Sequence, residues 1–309
     1  MSEHRFDERV AVVTGAGRGI GRAHAHLLAA RGASVVVNDL GGSRQGVGAD
    51  TAPASTVAAE VIAGGGVAIA DGNDVATTEG AQALVDTAIE RFGRLDILVN
   101  NAGIIKWVGM PKVTADDLAR HFAVHVGGSF NTARAAWPHM VEQRYGRIVM
   151  TSSSGMFGLL ENLAYATAKA GIVGLTRSLM TEGAAHNILV NAIAPAAITR
   201  MAGRSADETE ALQGDAASGP MAPERVAPLV AFLAHEDCPV SGEIYAAGGG
   251  RFARIFVAQA EGYVNVSPDP TIEDVAENWA TINDETGYSV PTDLMDWSAK
   301  FLSHLFPSG

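Results

Sequence analysis

Short runs of β-branched and other apolar residues recur along the chain, each followed by a longer stretch whose apolar positions fall three and four apart. The runs are VAVVT (10–14), SVVVN (34–38), VAIA (67–70), LDILVN (95–100), RIVMTS (147–152), ILVNAIA (188–194) and EIYAAG (243–248). Runs of this length without polar alternation predict strands covered on both faces, as a parallel sheet requires. Between them, Ala81, Leu84, Val85, Ala88, Ile89 and Phe92 keep helical spacing, and so do Val226, Leu229, Val230 and Leu233. Strand and helix alternation predicts right-handed crossovers and an α/β fold, a doubly wound sheet of seven parallel strands with helices on both faces.

The pattern weakens in two places. From Ala196 to Pro223 the chain is rich in Gly, Ala, Ser and acids and has no clear apolar period. A loop there follows a strand end, where such sheets place a substrate lid. After AAGGG a turn-rich VSPDP precedes two apolar sets, Val275, Trp279 and Ile282, then Leu294, Trp297, Phe301 and Leu305. These predict two amphipathic helices in an extension packed on the main domain or on a partner subunit. The expected organisation is a main domain at 1–250 and an extension at 251–309.

Composition narrows the class. Apolar content of 47% against 18% charged describes a globular chain and sets disorder aside. A net charge of −12, without a Lys or Arg run, argues against nucleic acid as a partner. The lone cysteine, Cys238, cannot form an internal disulfide and fits a reducing compartment. No secretory signal or bilayer-length apolar run is visible, so a cytoplasmic location and no membrane span are expected.

Candidate chemistry starts at TGAGRGIG (14–21), between the first strand and a helix carrying Ile20, Ala23 and Leu27. Gly15, Gly19 and Gly21 allow a tight turn, and the helix start offers N–H groups to a pyrophosphate, which outlines a Rossmann-type dinucleotide site. Asp39 ends the second strand eighteen residues later, where a carboxylate can accept from ribose hydroxyls and repel the 2′-phosphate of NADP. NAD is therefore expected over NADP, with Arg18 as a counter-signal. HAH at 24–26 puts its histidines on different helix faces, and no other run has metal-ligand spacing, so no metal is expected.

Further on, TSSSGMFGLLENLAYATAK (151–169) places Tyr165 and Lys169 four apart, on one face of a helix expected from about Asn162 to Ala185. A nearby ammonium favours a phenolate and would lower the tyrosine pKa, fitting Tyr165 for acid–base work. Spacing alone carries little weight. TGAGRGIG, NNAG (100–103), the serine cluster, YATAK and NAIAP (191–195), in this order, resemble the short-chain dehydrogenase/reductase family over nearly all of residues 7–250.

That resemblance implies roles at matching positions. Gly15, Arg18, Gly19, Ile20 and Gly21 would hold the pyrophosphate and Asp39 the adenosine ribose. Asp74 and Val75 would sit beside adenine, and Asn101, Ala102 and Gly103 would line the cleft. Tyr165 would exchange the substrate proton, a serine would hold the substrate oxygen, Lys169 would bind the nicotinamide ribose and lower the tyrosine pKa, and Pro195 would flank the nicotinamide. His125 stands where the family usually has an asparagine that helps bind a water, leaving open whether its imidazole adds anything. VNDLGGSRQGVGAD, HVGGSFNTARAAWPHM, YGRIVMTSS and the tail are similar to the (3R)-hydroxyacyl-CoA dehydrogenase units of type-2 multifunctional enzymes of peroxisomal β-oxidation. The implied reaction is NAD-dependent oxidation of a secondary alcohol, a 3-hydroxyacyl-CoA with a fatty or sterol-derived chain, in a free-standing homodimer or homotetramer. Alternatives are a hydroxysteroid or other alcohol dehydrogenase without CoA, and a nucleotide-binding protein without turnover.

Two counts compete for the serine. The common family interval back from Tyr165 reaches Ser152, and register along the strand from YGRIV reaches Ser153. A register slip would reverse the side chain's face, whereas a loop shortened by one residue costs less, so Ser153 is expected, with Ser152 second and Ser154 a turn residue. Lys106, Trp107, Met110, Met156, Phe157 and Met201 are equally pocket or core. Arg200, Arg204, Arg251 and Arg254 are candidates for CoA phosphates by location only.

Overall fold

The computed structural model describes residues 3–205, 207–208 and 219–305, so part of the expected lid lies outside the described residues. Eight strands form one sheet in the order β3-β2-β1-β4-β5-β6-β7-β8. They are β1 (Val10–Thr14), β2 (Ser34–Asn38), β3 (Val67–Asp71), β4 (Ile97–Asn100), β5 (Gly146–Thr151), β6 (Ile188–Ala196), β7 (Ile244–Gly248) and β8 (Arg251–Ile255). The pairs from β3 through β7 are parallel.

The sheet corrects the expected seven strands. β8 follows β7 after two glycines, and a link that short joins only antiparallel strands. Its sequence RFARI alternates charge with apolar residues and is largely exposed, so it lacks the buried run that betrays the other strands.

The major helices are α1 (Gly19–Ala30), α2 (Ala52–Ala63), α3 (Thr78–Phe92), α4 (Ala115–Phe122), α5 (Gly128–Gln143), α6 (Leu163–Gly183) and α7 (Ala227–Ala234). One core layer joins Leu28 of α1, Val57 and Val61 of α2 and Val230 and Leu233 of α7 to Val13, Val35, Val37, Val99 and Ile193 of the sheet. The opposite face is covered by α3, α5 and α6, with Leu84, Val85, Met140 and Ile172 buried. Covering both faces explains the strands without alternation: β1, β4 and β5 are buried at every position. β3, at the open edge, is only partly buried.

The chain divides into two compact units, Met1–Arg254 and Ile255–Gly309. Among its described residues the second contains three short α-helices rather than two, α8 (Ile272–Glu277), α9 (Trp279–Ile282) and α10 (Leu294–Phe301). None buries a residue, and Trp279, Leu294, Met295 and Phe301 are exposed.

Candidate active site

The carboxyl ends of β1, β2 and β4 open onto a cleft of about 530 Å³. Its floor is the turn between β1 and α1. Gly15 has φ +62°, and a Cβ there would stand 2.8 Å from the Ala102 Cα; at Gly21 a Cβ would stand 2.3 Å from the Gly15 carbonyl. Side chains at either place would fill the space between this turn and the NNAG loop. Asn101 ties the two together, its Nδ2 donating to the carbonyls of Thr14 (2.9 Å) and Gly15 (3.1 Å).

Asp39 lies at the end of β2 and is almost fully buried. Its oxygens accept from the Gly17 amide at 2.9 Å and the Gly41 amide at 2.7 Å. The carboxylate is thereby aimed and still has unused lone pairs. Arg18, Gly19, Ile20, Asp74, Val75, Ala102 and Gly103 also line this cleft. Glycines that no side chain could replace and an oriented acid at the second strand fit a dinucleotide's pyrophosphate and ribose.

Arginines tie the loops around the cleft together, and of these only Arg200 is a candidate from the sequence. Arg120 donates to the Gly46 carbonyl, Arg200 to the Gly42 carbonyl at 3.1 Å, and Arg44 to the carbonyls of Gly203 and Arg204. They join the loop after β2 to α4 and to the segment after β6. Burial lowers the Arg200 pKa, with the Arg18 charge adding to it and Asp39 opposing.

The serines separate at the end of β5. Ser152 is buried and donates to the Lys169 carbonyl at 2.7 Å. Ser153 begins a single 3₁₀ turn and accepts from the Gly155 amide at 3.0 Å, and its hydroxyl and the Tyr165 ring both lie against Gly155. Ser154 lies in the turn itself and is exposed. Tyr165 and Lys169 stand one turn apart on α6, with the Lys169 Nζ 5.6 Å from the Tyr165 ring centre. Pro195 sits in the last part of β6, paired with Ala247.

The protonation pattern departs from expectation. Burial raises the Tyr165 pKa, and the neighbouring Ser153 hydroxyl works in the opposite direction. Lys169 contributes no lowering here, because its Nζ donates to the Thr151 carbonyl at 2.6 Å and burial brings its own pKa down to about 7. The spacing places the pair on one face; the dry surroundings decide the charge.

His125 occupies a π-helical turn, Ala123–Gly127, between α4 and α5. Its ring meets Tyr165 edge-on at 5.4 Å and stacks on His121 at 6.0 Å. Nε2 lies 2.9 Å from the Ile104 carbonyl and 3.3 Å from the Ile104 amide, while the buried Nδ1 has no partner. Burial first, and the Lys169 charge second, hold the His125 pKa well below its ordinary value, leaving the ring neutral.

Most of the other named side chains do not line the cleft. Lys106 pairs with Asp117 at 2.6 Å, and Arg204 lies over Trp107 at 5.2 Å while pairing with Glu161 at 3.1 Å. Met201 lines the cleft, Met156 touches the Ser152 hydroxyl, and Met110 and Phe157 are exposed. Arg254 pairs with Glu243 at 2.6 Å, and Arg251 is exposed on β8. Among the described residues, no helix is long and apolar enough to cross a membrane.

Residues 9–211 match the family model described as short chain dehydrogenase. The chain is 43% identical over 284 residues to a short-chain type dehydrogenase/reductase of Mycobacterium tuberculosis, covering 92% of this chain and 96% of that one. It is 42% identical over 284 residues to the peroxisomal multifunctional enzyme type 2 of Drosophila melanogaster, covering 91% of this chain but 46% of that longer enzyme. A crystal structure of a short chain dehydrogenase from Mycobacterium avium superposes with a TM-score of 0.77 at 36% identity, covering 91% of this chain and 98% of that one. The chain belongs to the short-chain dehydrogenase/reductase family, oxidoreductases that act on CH–OH groups with NAD(P).

Proposed function

We propose that the chain is an NAD-dependent dehydrogenase interconverting a secondary alcohol and its ketone, with a 3-hydroxyacyl-CoA and a 3-oxoacyl-CoA as the pair. One observation carries this reading: Ser153 and Tyr165 flank the same glycine, Gly155, and Tyr165 stands one helical turn before Lys169, in a chain whose glycine-floored cleft fits a dinucleotide. The likeness to peroxisomal multifunctional enzymes supports the acyl-CoA choice.

In this mechanism Ser153 holds the substrate oxygen and Tyr165 takes the hydroxyl proton. Bound NAD supplies the hydride acceptor at nicotinamide C4. Burial keeps the phenol protonated at rest, so an approaching ammonium on Lys169 is needed to favour phenolate. Lys169 and Tyr165 also hold the nicotinamide ribose, and Pro195 flanks that end. Gly15, Arg18, Gly19, Ile20 and Gly21 hold the pyrophosphate, Asp39 the ribose, and Asp74 and Val75 the adenine; Asn101, Ala102 and Gly103 line the groove. His125 positions the loop after NNAG through the Ile104 carbonyl. Asp39 supports NAD over NADP, although Arg18 and Arg200 lie on the same wall. The exposed apolar residues of the second unit support a homodimer or homotetramer.

A second reading, a hydroxysteroid or other alcohol dehydrogenase without CoA, has its own support. Three cations considered for CoA phosphates are already engaged: Arg200 with Gly42, Arg204 with Glu161 and Arg254 with Glu243. NADH and NADPH formation, followed by absorbance with (3R)- and (3S)-hydroxyacyl-CoAs, hydroxysteroids and simple alcohols, separates the readings. Highest kcat/KM on one hydroxyacyl-CoA series with NAD is expected. Turnover of steroids alone would replace it with the second reading, and no turnover of any alcohol would overturn both.

A further inference from the structure

At the amino-terminal edge of the sheet, the segment before β1 and the turn after α7 bring two imidazoles and a carboxylate together. The His4 Nε2 lies 3.6 Å and the His235 Nδ1 3.4 Å from the same atom, Asp237 Oδ2. The three ligand atoms all fall within 4.8 Å of one another.

Hydrogen bonding fixes which nitrogen of His235 is available. Its Nε2 is 3.1 Å from the Arg5 carbonyl, which only accepts, so Nε2 carries the proton of the neutral ring and Nδ1 keeps the lone pair. That lone pair faces a carboxylate oxygen, acceptor against acceptor, and only the Asp237 amide, at 3.1 Å, approaches it as a donor. Tetrahedral zinc with bonds of about 2.0–2.2 Å sets neighbouring ligand atoms roughly 3.3–3.6 Å apart, the range of both spacings to Asp237, and a turn of the exposed His4 ring would bring the two imidazoles, now within 4.8 Å, into it. The Nε2–H to carbonyl contact is also the outer bond that metal-bound imidazoles make.

The surroundings hold the rings and remove competing charge. His4 packs edge-on against His235 at 4.8 Å and Phe232 at 6.0 Å, and His235 against Phe6 at 5.2 Å. The nearby arginines already face carboxylates: Arg5 with Asp7 at 2.8 Å, Arg9 with Asp96 and Glu236 at 3.1 Å, and Arg94 with Asp96 at 2.6 Å.

We propose that His4, His235 and Asp237 bind one divalent transition cation of the zinc class, with a fourth position left to water, and so fasten the segment before β1 to the end of α7. Two imidazoles and one carboxylate favour such a cation over magnesium or calcium, which prefer all-oxygen ligands. The site is separate from Tyr165 and Lys169, which stand beyond the carboxyl ends of the strands. It is built by residues 231 positions apart, beyond the reach of spacing motifs.

The full chain, untagged and stripped with a chelator, tests this by calorimetric titration with Zn²⁺, thermal melting, and the visible spectrum with Co²⁺. One equivalent of Zn²⁺ should bind and raise the melting temperature, and Co²⁺ should give the intense bands of four-coordinate geometry. His4→Ala and Asp237→Asn should each weaken binding by about tenfold or more without changing turnover. Both side chains are more than half exposed, at 51% and 66%, so these variants should fold where a change at buried His235 could fail. Absence of a saturable single equivalent, or Zn²⁺ affinity unchanged in both variants, would overturn the site.

Discussion

The two ends of the sheet treat buried polar groups in opposite ways. At the amino ends, fully buried Asp96 accepts from the Val10 amide, Arg9 and Arg94. Arg147 donates to the carbonyls of His235, Gly146 and Asn187, and Arg9 and Arg147 lie over the Tyr145 ring at 3.9 and 4.3 Å. Beyond the carboxyl ends, the His125 Nδ1, the Thr151 hydroxyl and both amide atoms of Asn162 are buried without partners, and Lys169 is bound by a single carbonyl. Around Asp96 and Arg147 the buried groups are satisfied and serve stability. The carboxyl end retains unmet demand next to Tyr165, the condition under which pKa values move and ligands are held.

The strongest way to break this contrast is Tyr165→Phe, which should lower kcat by about 10²–10⁴-fold while cofactor binding, followed by fluorescence titration, persists. Unchanged turnover would remove Tyr165 from the chemistry. Next, Asp96→Ala should cost about 3–5 kcal/mol by stranding two arginines and an amide, seen as a melting temperature lower by roughly 10 °C. Its kcat/KM at a temperature where the protein is folded should stay near wild type; a matching loss of activity would erase the division of labour.

A finer test compares adjacent serines. Ser153→Ala should cut turnover about a hundredfold, by analogy with removal of one donor to a reacting oxygen. Ser152→Ala loses the bond to the Lys169 carbonyl and should cost about 1 kcal/mol of stability with turnover within a few fold. The reverse ranking would place the substrate oxygen at Ser152. A last effect, seen only on acidification, concerns His24, buried without a partner on α1, whose pKa burial lowers to about 3. The unfolded chain binds its proton below the ordinary value of 6.5, so the stability tied to the neutral ring is whole above that pH and drains away towards pH 3. His24→Leu should flatten the acid limb of a denaturation series by up to about 1.4 kcal/mol per pH unit, and an unchanged slope would show the ring titrating normally.

What could be read in the sequence follows the same division. Strands buried on both faces announce themselves, as VAVVT and ILVNAIA do, because burial dictates residue type position by position. RFARI did not, since an exposed edge strand imposes no such rule. The glycine loop, Asp39 and the Tyr165–Lys169 face were legible because local geometry fixes them. The raised Tyr165 pKa was not, because it depends on distances across the fold: Lys169 turns to the Thr151 carbonyl, and desolvation prevails. Arg44 and Arg120 escaped for the same reason, as their carbonyl partners belong to distant loops, and so did the bond of Arg200 to the Gly42 carbonyl.

The π-helical turn at Ala123–Gly127 carries a consequence for how this site could be lost. Such a turn accommodates one residue more than an α-helical turn, so α5 is rotated by about 100° from the phase an unbroken continuation of α4 would have. Deleting a single residue there would let α4 and α5 join into one regular helix, with hydrogen bonds intact, yet move His125 off the Ile104 carbonyl and away from Tyr165. The helix would gain regularity as the site lost a wall, so within these five residues the reading frame of the helix, rather than the identity of any side chain, holds the two apart.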